Sequence, residues 1–301
     1  VIWIKTMSAS ILPFKQVSLP LETKMSRVPP MQRTKGTGRV GFKAAQHDGL
    51  PPTLQELYQE GAAKIRLPKV YDDMAEAALI NTSGGVTGGD VLNWHVNLQT
   101  GAKAVLTTQA CEKIYKSSEG TAQITNTLNV KDDAELHWLP QETILFNEAS
   151  LSRTLQVDLA PSARFLAVEA VILGRQAMGE TVERAYFKDT WRVRKAGKLI
   201  HADDVLLDGD LGTRTQNAAI LNGARAFASI LYVGPEEEDL LKACARSLQK
   251  LQDPKQVALS AFRGKLVGRV MAQDGFALRQ TLIPLLQSLR LGRDLPKLWN
   301  L

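Results

Sequence analysis

Histidine and cysteine are scarce in this chain, and their scarcity removes whole classes of chemistry. Four histidines, His47, His95, His137 and His201, stand singly along 301 residues. No two have the spacing of an imidazole-based metal site. Cys111 and Cys244 lie far apart, with no Cys-x-x-Cys pair. They read as buried thiols in a reducing compartment, and the expected location is cytoplasmic. No apolar run reaches the roughly 20 residues needed to cross a bilayer. Ile11–Leu21 is broken by proline and lysine where a signal peptide needs an uninterrupted apolar core. A Gly-x-Ser-x-Gly nucleophile elbow is missing, and so is the Gly-Lys-Ser/Thr ending of a phosphate loop.

The charge balance is also less informative than it looks. The chain carries a net +6 and has an isoelectric point near 9.3. Residues 1–43 hold eight Lys/Arg and one acid, a net +7, which leaves the remainder at −1. A basic stripe for a phosphate backbone is therefore not expected on the body, and no nucleic-acid partner is assigned. Residues 1–38 read as an irregular basic leader, disordered or preceding the true start, with Met7, Met25 and Met31 as available starts. Residues 39–301 read as one domain. Gly36-Thr37-Gly38-Arg39-Val40-Gly41 spells GxGxxG, but no hydrophobic strand precedes it and no amphipathic helix follows. It reads as a flexible approach to the first strand.

What is present is alternation. Leu92, Trp94, Val96 and Leu98 share one face while Asn93, His95, Asn97 and Gln99 share the other. Residues 122–130 and 151–159 repeat the pattern, separated by turn signals such as Asp132-Asp133 and Ala160-Pro161. His95 and His137 then read as solvated surface residues. Arg164–Leu173 is apolar on both rows, so it should be buried on both sides, with Glu169 as its single internal charge. That carboxylate must be paired (Arg175 and Arg184 are within reach in sequence), protonated, or exposed to an internal wet cavity. Further strands are expected at Val182–Arg194 and Lys198–Leu207, and a hairpin at Val257–Phe262 and Lys265–Ala272. Helices are expected after Pro235, with an acidic first turn, and over Phe276–Leu289. The body is mainly β, with short and largely antiparallel strands and two helices near the C-terminus.

The stretch Asn81–Asp90 (NTSGGVTGGD) places two glycine pairs around Val86-Thr87. Glycine there permits positive φ and close backbone approach. This block, Thr107–Ser117 (TTQACEKIYKS), Trp138–Phe146 (WLPQETILF), Leu173–Glu180 (LGRQAMGE) and Leu295–Trp299 (LPKLW) together resemble the UreD/UreH urease accessory family. Cys111 stands where that family commonly has alanine, and Gln176 where glutamate or another residue is usual. The resemblance implies a β-helix-like stack of strands and a non-enzymatic maturation factor. Such a factor joins a UreF-type accessory protein and a UreG-type GTPase, docks on apo-urease and helps deliver nickel. It implies nickel in transit and no tightly bound cofactor. Asp90, Glu142, Glu169 and Glu180 are the acids for a weak nickel path, and Ser83 and Thr87 are tunnel-lining candidates. The alternative is a small-molecule enzyme using the buried Glu169 as general acid or base.

Overall fold

The computed structural model describes residues 32–300 apart from 48, 72, 176, 177 and 250–255. Residues 1–31 of the leader therefore lie outside the described residues, as does Gln176. Arg33–Leu301 forms one compact unit. Its strands begin with β1 (Lys35–Lys43), β2 (Thr53–Gly61), β3 (Ala63–Arg66), β4 (Ala75–Asn81), β5 (Val91–Leu98) and β6 (Lys103–Thr108). β7 (Glu112–Ile114), β8 (Ala122–Val130), β9 (Glu135–Trp138), β10 (Thr143–Leu145), β11 (Ser150–Leu159) and β12 (Arg164–Leu173) follow. Next come β13 (Arg184–Lys195), β14 (Lys198–Asp210), the one-turn helix α1 (Leu211–Arg214) and β15 (Ala226–Val233). The chain closes with α2 (Glu237–Leu248), β16 (Val257–Phe262), β17 (Lys265–Ala272), α3 (Gly275–Leu289) and a 3-10 turn at Lys297–Asn300. Among the described residues no helix is long and apolar enough to cross a membrane.

Two sheets face each other. The first runs β14-β13-β11-β8-β5-β1-β2 and the second β16-β17-β15-β12-β9-β6-β4-β3. From β5 to β13 successive long strands alternate between the sheets, so each turn of chain lies on the one before, as in a β-solenoid. Val96, Leu128, Val157 and Val193 stack in one register row, and Leu106, Trp138 and Ala167 in another. The gaps between sheets are filled by these inward rows.

The expected strand direction needs correcting. Pairing is parallel through the middle of each sheet, β1-β5-β8-β11-β13 and β4-β6-β9-β12, and antiparallel at the margins. Alternation reports which face a residue occupies and is blind to direction. A strand whose successor crosses to the opposite sheet meets a neighbour running the same way. Two corrections are local. Gly36–Gly41 lies inside β1, where a Cβ on Gly38 would overlap the Trp94 ring, so this segment is packed strand rather than a flexible approach. His137 is buried, because the outward face of β9 is covered by α3.

The expected double burial of β12 holds. Its inward row faces the core between the sheets, and Leu166, Val168 and Ala170 pack outward under α2 and α3. Asp274 caps α3 by accepting from the Ala277 amide at 2.7 Å, and Leu278, Leu282, Leu285, Leu286 and Leu289 form its buried stripe. The acidic first turn of α2 contains Glu237, Glu238 and Asp239, and its buried side chains are Leu240 and Cys244.

A short parallel ladder branches from the second sheet: Val86, Ile114, Leu145 and Leu173 pair in sequence. The glycine block is what lets the first rung seat. Gly85 has φ +153°, and a Cβ there would come within 2.6 Å of the Lys113 carbonyl. Gly88 has ordinary φ but no room: a Cβ would press on Ser117 Oγ and the Glu119 carbonyl, and lie 2.6 Å from the Gly120 carbonyl. Gly88→Ala is therefore expected to cost about 1–3 kcal/mol by overpacking alone. Urea denaturation of the variant against wild type measures it; an unchanged midpoint contradicts this packing.

Candidate functional site

The carboxylates singled out in the sequence are each held by a different partner. Asp90 Oδ1 accepts from the Thr34 amide at 2.7 Å and Oδ2 from the Thr87 amide at 2.8 Å. It closes the glycine loop. Ser83 Oγ bonds Asn81 Oδ1 and the Gly85 carbonyl, and Thr87 Oγ1 donates to the Lys116 carbonyl. These three side chains act as clamps on the loop. Glu180 performs the same task at the other end of the ladder, accepting from Arg175 Nε at 2.8 Å and from the Asn147 amide. Arg175 holds its carboxyl below the usual range. Arg175 also lies 4.2 Å over the Phe146 ring, which meets Tyr115 edge-on.

Glu142 and Glu169 are placed differently, at a break in the second sheet. β12 pairs with β9 only as far as Ala167 and with β10 only from Val171. Between these points the segment from Leu139 to Glu142 leaves the ladder. Glu142, on the outward side, is buried and paired with Arg279 of α3 at 2.7 Å. Cys111 Sγ donates to it at 3.3 Å, and Arg279 also bonds Gln141. Burial, reinforced by Glu142, pushes the Cys111 thiol up to about 12, so it stays protonated rather than serving as a thiolate.

Glu169 lies on the inward side and is 3% exposed. Its partner is Arg153 on β11, at 2.5 Å, and neither Arg175 nor Arg184. Trp138 Nε1 donates to its other oxygen at 2.9 Å. Arg153 also grips Asp189 of β13 in a fork, with Nε to Oδ1 at 3.0 Å and Nη2 to Oδ2 at 2.8 Å, and donates to Thr143 Oγ1. Burial, with Asp189 sharing the same guanidinium, raises the Glu169 carboxyl. Arg153 and Asp189 were not among the sequence candidates. Their signal is present nonetheless, since each interrupts an otherwise apolar inward row with a charge of opposite sign.

Two further titratable groups complete the region. Glu112 on β7 accepts from Asn81 Nδ2 at 2.9 Å, and burial lifts its carboxyl to about 7. On the outward side, Arg290 Nη1 lies 2.8 Å from His137 Nδ1, and His137 Nε2 lies 2.9 Å from Glu135. Arginine only donates, so Nδ1 accepts and the imidazole is neutral, with burial lowering its basicity. Among the described residues no three His, Cys, Asp or Glu side chains converge as a metal-holding group.

A sequence model of one family, described as UreD urease accessory protein, matches residues 34–300. This chain belongs to the UreD family. Urease accessory protein UreD of Rhizobium leguminosarum bv. viciae is 50% identical over 270 residues, covering 90% of this chain and 96% of that protein. The UreD proteins of Agrobacterium fabrum and a Chelativorans strain are 49% and 46% identical, again over 90% of this chain, and 92% and 96% of their own lengths are covered. The first four UreD-like sequence blocks meet in one place. Asn81–Asp90, Thr107–Ser117, Trp138–Phe146 and Leu173–Glu180 supply the four rungs of the ladder and the clamps around it. The terminal block docks on the third of them through Trp299 Nε1 and the Leu139 carbonyl, 3.0 Å apart.

The buried triad sets a clear mutational contrast. Arg153→Met leaves Glu169 and Asp189 without a counter-charge in the core, and is expected to cost about 3–5 kcal/mol. Glu169→Gln should lose less, since Asp189 keeps its two bonds to the guanidinium. Denaturant unfolding of both variants decides it, and equal losses would contradict the shared-guanidinium geometry. Glu112 gives a pH signature. Its carboxyl is raised in the folded chain, so its contribution to stability is full below the usual pKa near 4.5 and is lost as pH rises through about 7. Glu112→Gln should therefore stabilise the protein at pH 8 relative to wild type and lose that advantage at pH 4.5, as read by melting temperature.

Proposed function

We propose that this chain is a non-enzymatic scaffold of urease maturation. It docks on apo-urease with a UreF-type accessory protein and a UreG-type GTPase, and helps convey nickel to the urease active site. The observation that carries the proposal is the match to the UreD family across residues 34–300. The site chemistry is consistent with it. Gly85 and Gly88 are crowded by Tyr115, Lys113 and Ser117 rather than open as a phosphate cradle, and on this reading GTP hydrolysis belongs to the partner.

Nickel is cargo on this reading, bound weakly and exchangeably by oxygen ligands. Glu142 and Glu169 flank the break between β9 and β10, the one interval where β12 lacks a ladder partner on that side. They are the acids best placed for passage across the second sheet. Asp90, Glu180, Ser83 and Thr87 support the loops at its end. Passage requires Arg279 and Arg153 to release their carboxylates, a rearrangement that partner docking must drive. The enzymatic alternative is disfavoured because both oxygens of Glu169 are engaged, by Arg153 and Trp138. A general acid or base must reach its substrate.

Deleting the gene in a urease-positive cell is expected to leave urease polypeptides at normal abundance but nickel-poor and inactive. Metal analysis of purified urease reads this directly, and re-expression of the chain should restore nickel. Fully nickel-loaded, active urease from the deletion strain would falsify the proposal.

A further inference from the structure

The helical layer on the second sheet stops short of its end. α2 and α3 cover the outward rows of β6, β9, β12, β15 and β17, reaching as far as Val105 of β6. β4 and β3 lie beyond. Their inward residues, including Ala63, Ile65, Ala77 and Leu79, belong to the core between the sheets. Their outward residues, Arg66 on β3 and Glu76, Ala78 and Ile80 on β4, instead line a groove of about 640 Å3. One wall is the segment 67–71 and the other is the C-terminal 3-10 turn, contributing Lys297 and Leu298.

The groove has an apolar floor and a basic rim. Ala78, Ile80, Val70 and Leu298 supply the floor, and Arg66, Lys69 and Lys297 set three cations around a single acid, Glu76. None of those three cations is in an ion pair among the described residues. Tyr71 stands 84% exposed at the mouth, with Lys69 Nζ 5.2 Å from its ring centre. An exposed tyrosine over an apolar trough is typical of a protein interface, and the cations on the rim give it a sign.

We propose that this groove docks an acidic amphipathic helix from a protein partner, seated as a third helix in the layer. A helix fits better than a strand because the groove runs over a sheet face, where side chains rather than backbone groups are offered. Charge selects the sign of the flanks: three cations against one acid favour Glu/Asp beside the apolar stripe. The inference does not depend on the route taken by nickel.

The test uses the full chain and a synthetic helix of about 18 residues, five turns, with Leu on one stripe and Glu on both flanks. Fluorescence anisotropy is expected to show saturable binding with Kd below about 100 µM. Lys69→Glu combined with Lys297→Glu should weaken it at least about tenfold, while Lys131→Glu, an exposed charge outside the groove, should not. Both variants replace exposed side chains, and matched melting temperatures confirm folding. The proposal is overturned by no saturation at that concentration, by equal affinity of the double variant, or by equal binding of the same helix with Lys on its flanks. An oligothymidine binding as tightly as the acidic helix would also overturn it, in favour of a general polyanion surface. So would self-association of the wild type that the double variant abolishes, which would make a second copy the occupant.

Discussion

A guanidinium enclosed between two β-sheets has to be neutralised by whatever the sheets bring to it. Arg153 enters from β11, Asp189 from the adjacent rung of β13, and Glu169 from β12 on the opposite sheet. The cluster therefore ties two successive turns of the solenoid to each other and one sheet to its facing partner. Ion pairs of this kind add little net stability over apolar packing, because desolvation offsets the attraction. Their effect is on alternatives. A one-residue slip of any of these strands would turn its charge away from the guanidinium and leave the others buried and unmatched. Register is thus fixed in a region where otherwise interchangeable aliphatic rows would tolerate sliding.

The ladder at the sheet's end solves a related problem with different chemistry. Val86, Ile114, Leu145 and Leu173 form only short rungs, so the connecting loops must be held by side chains. Asp90, Thr87, Ser83 and Glu180 satisfy backbone groups there, and glycine at 85 and 88 removes the atoms that would prevent closure. These carboxylates and hydroxyls are busy with the backbone, which separates them from Glu142 and Glu169 at the break. A string of polar residues that looks uniform in one dimension divides into loop clamps and a pair of buried, arginine-paired carboxylates in three.

Much of this was legible in the sequence, and the failures have physical causes. The pattern located β5, β8, β11, β12, β13, β14, β16 and β17 but not β1, β2, β4 or β15, and the double apolar rows of Arg164–Leu173 announced the burial of β12 on both sides. Direction escaped because a period of two is the same for parallel and antiparallel partners. His137 was misplaced because its surroundings depend on α3, contributed from far along the chain. Sequence proximity pointed to Arg175 and Arg184 as partners for Glu169. The true partner sits on the facing sheet, and its signal was a charge standing in an apolar row of β11. Asp189 repeats that signal on β13. Opposite charges interrupting apolar rows of different strands are evidence of mutual burial, a cue that single-strand reading discards.

The arrangement at the break constrains the proposed route of a divalent cation. Arg153 and Arg279 each occupy one of the two carboxylates proposed for that route, on opposite sides of the same interruption in the sheet. A permanently charged arginine cannot be removed by deprotonation at any ordinary pH. It must move, and movement is easier for Arg279, which is partly exposed on α3, than for Arg153, which is buried between the sheets with its guanidinium 5.7 Å from the Phe187 ring. Access to Glu142 is therefore governed by the seating of α3, and access to Glu169 by the separation of the sheets. The first is a local helix shift of the kind a docked partner can impose; the second strains the whole core. An ion reaching Glu142 thus meets a lower barrier than one reaching Glu169, so the outward side of the break is the more accessible end of any passage.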